Sequence, residues 1–335
     1  MGHKKILSSQ QKEIIRILQK KFPLVERPFN EIAKKIGLEE KELIEYLIEL
    51  QNKNILRQIS AIFNPQFFAH TSALFAFKVL DKNLYKAIEV INSHPGVTHN
   101  YLRDHIYNLW FILVVGPGKN LLKEIQKIFE LSQAEEYLYL PVIQTFKIYT
   151  VFGMENEEEI HFKNFEDLKE REDYLQFDFS ERDIKLVQVL QEPLPLTERP
   201  FKILSEKLNI SEKEIFRWLK EMKNKGALRR FGALFKHSKV GLKFNIMVAW
   251  KVEKEKLKKI GKELSKKDFI THCYERKSYP HWPYNLYTMC HFKSPKEVKI
   301  IEELAKQYEI KEYLMLNTVQ ELKKTRLKLF YDYKI

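Results

Sequence analysis

Residues 32–63, IAKKIGLEEKELIEYLIELQNKNILRQISAIF, align with residues 204–235, LSEKLNISEKEIFRWLKEMKNKGALRRFGALF, at a constant offset of 172. Arg27-Pro28-Phe29 recurs at the same offset as Arg199-Pro200-Phe201, so one structural unit is written twice in a chain of 335 residues. Within the first copy, Ile14, Ile15 and Leu18 line one helical face. Pro28 is suited to the first turn of a second helix, where its missing N–H costs nothing, and Gly37 is a natural left-handed stop. A third helix over residues 39–53 buries Leu43, Tyr46, Leu47 and Leu50; Asn54 follows it, and Gly226 holds the same place in copy two. Both residue types tolerate positive φ, which gives the shared stop a physical reason. A short strand pair is expected next, at 55–63 and 227–235, and three helices with a hairpin make a winged helix-turn-helix.

Beyond the wing the period becomes that of strands. Ser72–Leu80 and Asn245–Val252 read as buried strands, each followed by a helix. THNYLR (98–103) and THCYER (271–276) come next, at an offset of 173. Tyr107-Asn108-Leu109 and Tyr284-Asn285-Leu286 stand at an offset of 177, so copy two has four extra residues in its central loop. A helix (119–131 or 295–308) and a last strand (136–141 or 311–317) complete βαββαβ, a ferredoxin-like arrangement. The expected fold is therefore α+β, a tandem duplication of winged helix and ferredoxin-like domains. Its segments are 1–66 and 67–152 for copy one, an acid-rich linker at 153–178, then 179–238 and 239–335 for copy two.

The net charge of +13 asks for an anionic partner. Residues 1–160 hold 20 Lys plus Arg against 19 Asp plus Glu, and the remainder 38 against 26, so the basic character belongs to the second half. No apolar run approaches the roughly 20 residues that span a bilayer. The first residues, MGHKKILSSQ, carry no apolar signal core, and a cytoplasmic protein with no membrane partner is expected. Two cysteines, Cys273 and Cys290, are too few for a disulfide framework or a four-thiolate metal site. GPGKN at 116–120 lacks the frame of a phosphate loop, and neither G-x-S-x-G nor C-x-x-C occurs.

On a strand, alternate residues share a face, so His272, Tyr274 and Arg276 project together, as do His99, Tyr101 and Arg103. One such triplet could be a strand end with a satisfied histidine; two make a polar, cationic, aromatic wall suited to a flat polycarboxylate. The loop residues Tyr279, His281, Trp282, Pro283 and Tyr284 fit either a lid or a hydrophobic plug. His94, His105, His281 and His291 are read mainly as structural. A second basic cluster, Arg229, Arg230 and His237 in RRFGALFKH, suits either carboxylates or DNA phosphates. Copy one offers Arg57 and Gln58 there, with Ser60 for Gly232 and Pro65 for His237.

Winged helix plus βαββαβ resembles the Lrp/AsnC-type transcription regulators, which implies DNA binding. The third helix of copy one opposes this, with Glu39, Glu40, Glu42, Glu45 and Glu49 against Lys41 and Lys53. A helix entering a groove lined by phosphates should not be this acidic. Copy two, with Lys213, Arg217, Lys220, Lys223 and Lys225, permits it.

The RPF segments, the basic wing, the two T-H-x-Y-x-R frames and WPYNLYTMCH together resemble the siroheme decarboxylases, Lrp-like proteins without DNA-binding duty that are commonly built from two homologous subunits. The chain looks like a natural fusion of the two over nearly its whole length; Arg57-Gln58 departs from the double arginine and puts equal competence of the halves in doubt. The resemblance implies loss of two acetate carboxyls of siroheme as CO2 to give 12,18-didecarboxysiroheme, in heme d1 or alternative heme biosynthesis. It implies arginines holding acetates and a histidine delivering a proton, with His272 and Arg276 first and His99 and Arg103 as counterparts. Tyr274, Tyr101, Arg229, Arg230, Trp282, Tyr284 and His237 would contact substrate. His272 or His99 could instead ligate the substrate's iron axially. No metal held by protein alone and no further cofactor is expected. Homodimerisation or association with other tetrapyrrole-pathway proteins is left open. A DNA-binding regulator and a heme-binding sensor without turnover are the alternatives.

Overall fold

The structure, a computed structural model, describes residues 8–148, 179–235, 244–292 and 294–332. Copy one runs α1 (Ser8–Lys20), α2 (Pro28–Ile36), α3 (Glu40–Asn52), β1 (Leu56–Phe63), β2 (Thr71–Lys78), α4 (Asp81–Ser93), β3 (Val97–Arg103), β4 (Leu109–Val115), α5 (Leu121–Ser132), β5 (Glu136–Leu140) and β6 (Val142–Ile148). Copy two runs α6 (Glu181–Leu190), α7 (Pro200–Leu208), α8 (Glu212–Asn224), β7 (Leu228–Phe235), β8 (Phe244–Lys251), α9 (Lys254–Ser265), β9 (Ile270–Arg276), β10 (Leu286–Phe292), a 3-10 turn at Pro295–Val298, α10 (Lys299–Gln307) and β11 (Glu312–Lys324). The segment read as the linker, 153–178, lies outside the described residues. The chain divides into two compact units, and each takes like parts from both copies.

The first unit gathers the described parts of 1–70, 174–238 and 328–335. Gly37 (φ 70) ends α2 in the left-handed conformation, and Asn209 (φ 54) does the same for α7. Asn54 (φ 56) and Gly226 (φ 79) share the left-handed conformation just past the third helix of each copy. The recurrence of Arg-Pro-Phe is also explained. Phe29 and Phe201 are fully buried. Arg27 bonds Glu40 and, at 2.9 Å, Glu198; Arg199 bonds Glu212 at 2.5 Å and Glu26 at 2.9 Å. Each arginine thus joins the first turn of its own third helix to the other copy. The expected hairpin is absent from both copies among the described residues. Each supplies one strand, and β1 pairs antiparallel with β7, Ser60 facing Gly232. A Cβ on Gly232 would meet Leu18 O at 2.5 Å, so only glycine lets β7 lie this close to α1.

The second unit holds a nine-stranded sheet in the order β5-β2-β4-β3-β11-β8-β10-β9-β6. β5-β2-β4-β3 of copy one and β11-β8-β10-β9 of copy two each follow the expected ferredoxin-like order, but two strands run on into the other copy. β11 runs on past the expected end at 317: residues 312–317 pair with β8, and 318–324 pair with β3 of copy one. In copy one, Pro141 separates β5, which pairs with β2, from β6, which crosses to β9 of copy two. Phe146 of β6 lies where a side chain on Gly261 of α9 would stand, which anchors the crossing. One face of each half-sheet is covered by its own helices. Phe75, Phe77, Phe111 and Ile125 form one such core, and Val248, Trp250, Cys273 and Leu304 the other. The opposite faces share a third core containing Leu74, Ala76 and Trp110 from copy one with Met247, Ala249 and Tyr287 from copy two.

Candidate functional site

The T-H pair of each repeated frame is a β-bulge. Pairing of β9 with β10 shifts between His272 and Ile270, and pairing of β3 with β4 shifts between His99 and Val97. Ile270 and Cys273 both pack in the helix-facing core, so the two residues between them, Thr271 and His272, turn to the other face. Thr271 Oγ1 lies 2.9 Å from His272 Nδ1, and Thr98 Oγ1 lies 2.9 Å from His99 Nδ1. Bulges re-aim side chains in this way beside functional sites. Alternation then places Tyr274 and Arg276, and Tyr101 and Arg103, beside their histidines. The His99 and Tyr101 rings stand 6.3 Å apart, and those of His272 and Tyr274 6.0 Å apart. Each guanidinium lies over its tyrosine, at 5.5 Å for Arg103 and 5.0 Å for Arg276.

Both arginines are buried, and each reaches a backbone carbonyl of the other copy. Arg103 Nη1 donates to Leu316 O and Arg276 Nη1 to Leu140 O, each at 2.6 Å. Their Nε atoms are buried without a hydrogen-bond partner, and neither arginine has a carboxylate in salt-bridge contact among the described residues. Burial holds Arg103 down to about 10 and pushes the Tyr101 phenol up to about 12. Arg276 is likewise lowered by burial. One nitrogen of each guanidinium is committed to a backbone carbonyl, which leaves the rest of the group for any carboxylate.

The triplets of the two copies are near enough to sense each other. Burial presses His272 down to about 4, and His291, His99, Arg276 and Lys324 add repulsion. Burial also brings His291 to about 4, with Lys324 contributing. Lys324 of copy two lies across from His99 in the β11–β3 pairing. His291 and Lys324 therefore stand close to His272, although sequence reasoning set His291 aside and passed over Lys324. His291 Nδ1 lies 2.7 Å from Asn245 Oδ1, and His291 Nε2 lies 2.9 Å from Thr271 Oγ1. A hydrogen-bonded chain thus runs Asn245–His291–Thr271–His272 across three adjacent strands.

Other expected site residues have different surroundings. Trp282 is buried in the core shared by the two half-sheets and donates Nε1–H to Tyr287 Oη at 2.6 Å. Its ring stands 5.5 Å from His105, 5.5 Å from Tyr107 and 5.9 Å from Trp110. It is a plug rather than a lid. Tyr284 is buried beside it and donates to Glu312 at 3.2 Å, as Tyr107 does to Glu136 at 3.0 Å. Asn108 and Asn285 each clamp the backbone of one residue, Val79 or Val252, through both amide atoms. The Tyr-Asn repeat is thus structural. Arg229 and Arg230 belong to the winged-helix unit and not to the unit holding the triplets. Arg230 donates to Gln19 O at 3.0 Å at the end of α1, and Arg229 reaches Asn64 at 3.3 Å. His237 lies outside the described residues. His94 and His105 accept backbone N–H bonds from Gly96 and Tyr107. No group of three His, Cys, Asp or Glu among the described residues is placed to hold a metal ion.

Fold and site together define a duplicated protein with a strand-exchanged ferredoxin-like sheet and paired winged helices. The family model of the AsnC-like ligand binding domain matches residues 69–147 and 239–323, and that of the siroheme decarboxylase NirDL-like HTH domain matches 11–57 and 183–229. A siroheme decarboxylase of Hydrogenobacter thermophilus is 33% identical over 322 residues, 96% of this chain and 95% of that protein. The siroheme decarboxylase beta subunit of Methanosarcina barkeri is 36% identical over 148 residues, 44% of this chain and 97% of its own. The crystal structure of siroheme decarboxylase NirDL in co-complex with an iron-uroporphyrin III analogue superposes with a TM-score of 0.78 at 30% identity, covering 96% of this chain and 95% of that one. The chain belongs to the siroheme decarboxylase family, as a single polypeptide carrying both homologous halves.

Proposed function

We propose that this protein converts siroheme to 12,18-didecarboxysiroheme by releasing two acetate carboxyls as CO2. The observation that carries this reading is the meeting of two His-Tyr-Arg triplets, one from each copy, on the shared face of the strand-exchanged unit. A siroheme substrate, flat and bearing eight carboxylates, matches that face in charge and in aromatic character. Buried guanidiniums with an unpartnered Nε are costly unless an anion completes them, so a substrate carboxylate is their natural complement. The iron-uroporphyrin III analogue bound by the NirDL relative is a tetrapyrrole of the same chemical class.

Loss of CO2 from a carboxylate leaves the bonding electron pair on the former acetate carbon, delocalised into the ring, and one proton must be added there to give methyl. His272, held down to about 4, is neutral near pH 7 and holds no acid proton to give. It must first take a proton, from a substrate carboxyl or from solvent, and return it to carbon. The sum is one carboxylate and one proton in, one methyl and one CO2 out, without an oxidant. Arg276 and Arg103 orient the carboxylates, and Tyr274 and Tyr101 present ring faces and hydroxyls to the macrocycle.

The regulator alternative meets an obstacle in the first unit. The third helix of copy one sets Glu39, Glu42, Glu45 and Glu49 against Lys41 and Lys53, and Lys53 is spent on Glu49. Anaerobic incubation of the purified protein with siroheme is expected to give products lighter by one and then two CO2. Unchanged mass, together with salt-dependent binding to a defined duplex, would overturn the proposal in favour of the regulator.

A further inference from the structure

The hydrogen-bonded chain Asn245–His291–Thr271–His272 has a direction. Asn245 Oδ1, 2.7 Å from His291 Nδ1, can only accept, so that nitrogen carries the hydrogen. The remaining nitrogen of a neutral His291, Nε2, must then accept, and the Thr271 hydroxyl 2.9 Å away donates to it. Met289 O, the other acceptor near that hydroxyl, is farther at 3.4 Å. With its hydrogen directed to His291, Thr271 Oγ1 accepts from His272 Nδ1–H at 2.9 Å. The lone pair of His272 is left on Nε2, for which no protein partner occurs among the described residues.

Copy one has no counterpart of this chain among the described residues. In the β2–β4 pairing Ser72 stands opposite Val114, where β8–β10 pairing sets Asn245 opposite His291. Thr98 touches His99 as Thr271 touches His272, but Val114 puts no second imidazole behind it.

We propose that Asn245, His291 and Thr271 are positioning residues that fix His272 as the Nδ1–H tautomer and present its bare Nε2 to the tetrapyrrole, making copy two the half that handles the proton. For the reaction this rests on the decarboxylase reading above; for the state of the ring it does not. Supporting groups of this kind commonly set the tautomer and orientation of a working histidine.

Two measurements test it. In steady-state decarboxylation of siroheme, Thr271→Val is expected to lower kcat by about 10–100-fold, a loss typical for removing a supporting hydrogen bond, with KM little changed. Thr271→Ser, which keeps the hydroxyl, restores most of it, and Thr98→Val costs less than about threefold. Equal losses for Thr271→Val and Thr98→Val, or failure of Thr271→Ser to rescue in a protein that melts normally, overturn the proposal. Nitrogen NMR of protein labelled with 15N-histidine, without substrate, is expected to show Nδ1–H on His272, shifting toward Nε2–H in Thr271→Val. An Nε2–H ring in the unsubstituted protein overturns the assignment. If that protein releases no CO2 the decarboxylase reading falls, and the NMR result alone then decides whether the chain positions His272.

Discussion

β3 and β9 carry the same frame, bulge at the same threonine-histidine pair, and anchor the same arginine to a carbonyl of the other copy, Leu316 or Leu140, yet what lies behind their histidines differs. On β9 the threonine connects His272 to His291 and Asn245; on β3 the corresponding places hold Val114 and Ser72. Duplication has kept what both halves need in order to fold and exchange strands: the bulge, the arginine and the Tyr-Asn clamp. Among the described residues the chain of polar groups is a feature of one half, and a buried polar chain is costly unless each member is satisfied. The contrast teaches that recurrence in this molecule covers both the architecture and the shared His-Tyr-Arg wall, and that the departure behind His272 is where a difference between the halves is to be sought.

The broadest way to break this comparison is to remove each histidine in turn. His272→Ala is expected to lower the decarboxylation rate by about 100-fold or more, the range for loss of a group that transfers a proton in the rate-limiting step. His99→Ala is expected to cost about tenfold, through weaker placement of substrate. Mass spectrometry of products separates loss of the first CO2 from loss of the second, and equal effects of the two variants would erase the distinction between the halves. The arginines sharpen it from the other side, because their surroundings are alike. Arg276→Met and Arg103→Met should each destabilise the fold by about 2–3 kcal/mol, since each leaves a carbonyl of the other copy without its buried charged donor. Urea unfolding would show the two losses to be similar, whereas a marked asymmetry would mean that one contact between the copies depends on its arginine and the other does not.

Much of this was legible before any coordinates. The 172-residue offset exposed the duplication, and period-two alternation placed His272, Tyr274 and Arg276 on one face. The left-handed stops at Asn54 and Gly226 followed from residue type. The exchange of β6 and β11 was not legible, because local pattern says where a strand is and not which strand it joins. Pro141 breaks one crossing strand while β11 runs unbroken, so the two ends do not look alike in sequence. The wing misled for the same reason, since a lone strand completed by its twin reads as half of a hairpin. His291 was passed over because its partners, Asn245 and Thr271, are 46 and 20 residues away. Only the pairing register of three strands makes them neighbours. Trp282 could face a ligand or a core, and the rings of His105, Tyr107 and Trp110 settle that it faces a core.

The smallest effect follows from pH and again divides the copies. His272 and His291 are held down to about 4 by burial, against about 6.5 in an unfolded chain. The unfolded state therefore binds more protons between those values, so the stability these residues confer is full above about pH 6.5 and is lost as pH falls toward 4. For His272 the loss by pH 5 is roughly 2 kcal/mol. Copy one contributes no counterpart of His291, because Val114 does not titrate. His291→Gln, which keeps a polar side chain but cannot charge, is expected to flatten the decline in urea midpoint between pH 7 and 5 relative to the unsubstituted protein, whereas Val114→Ala leaves its slope unchanged. An unaltered slope in His291→Gln would mean that the imidazole reaches water and charges freely in the folded state, and the contrast between the two halves would then rest on geometry without an electrostatic component.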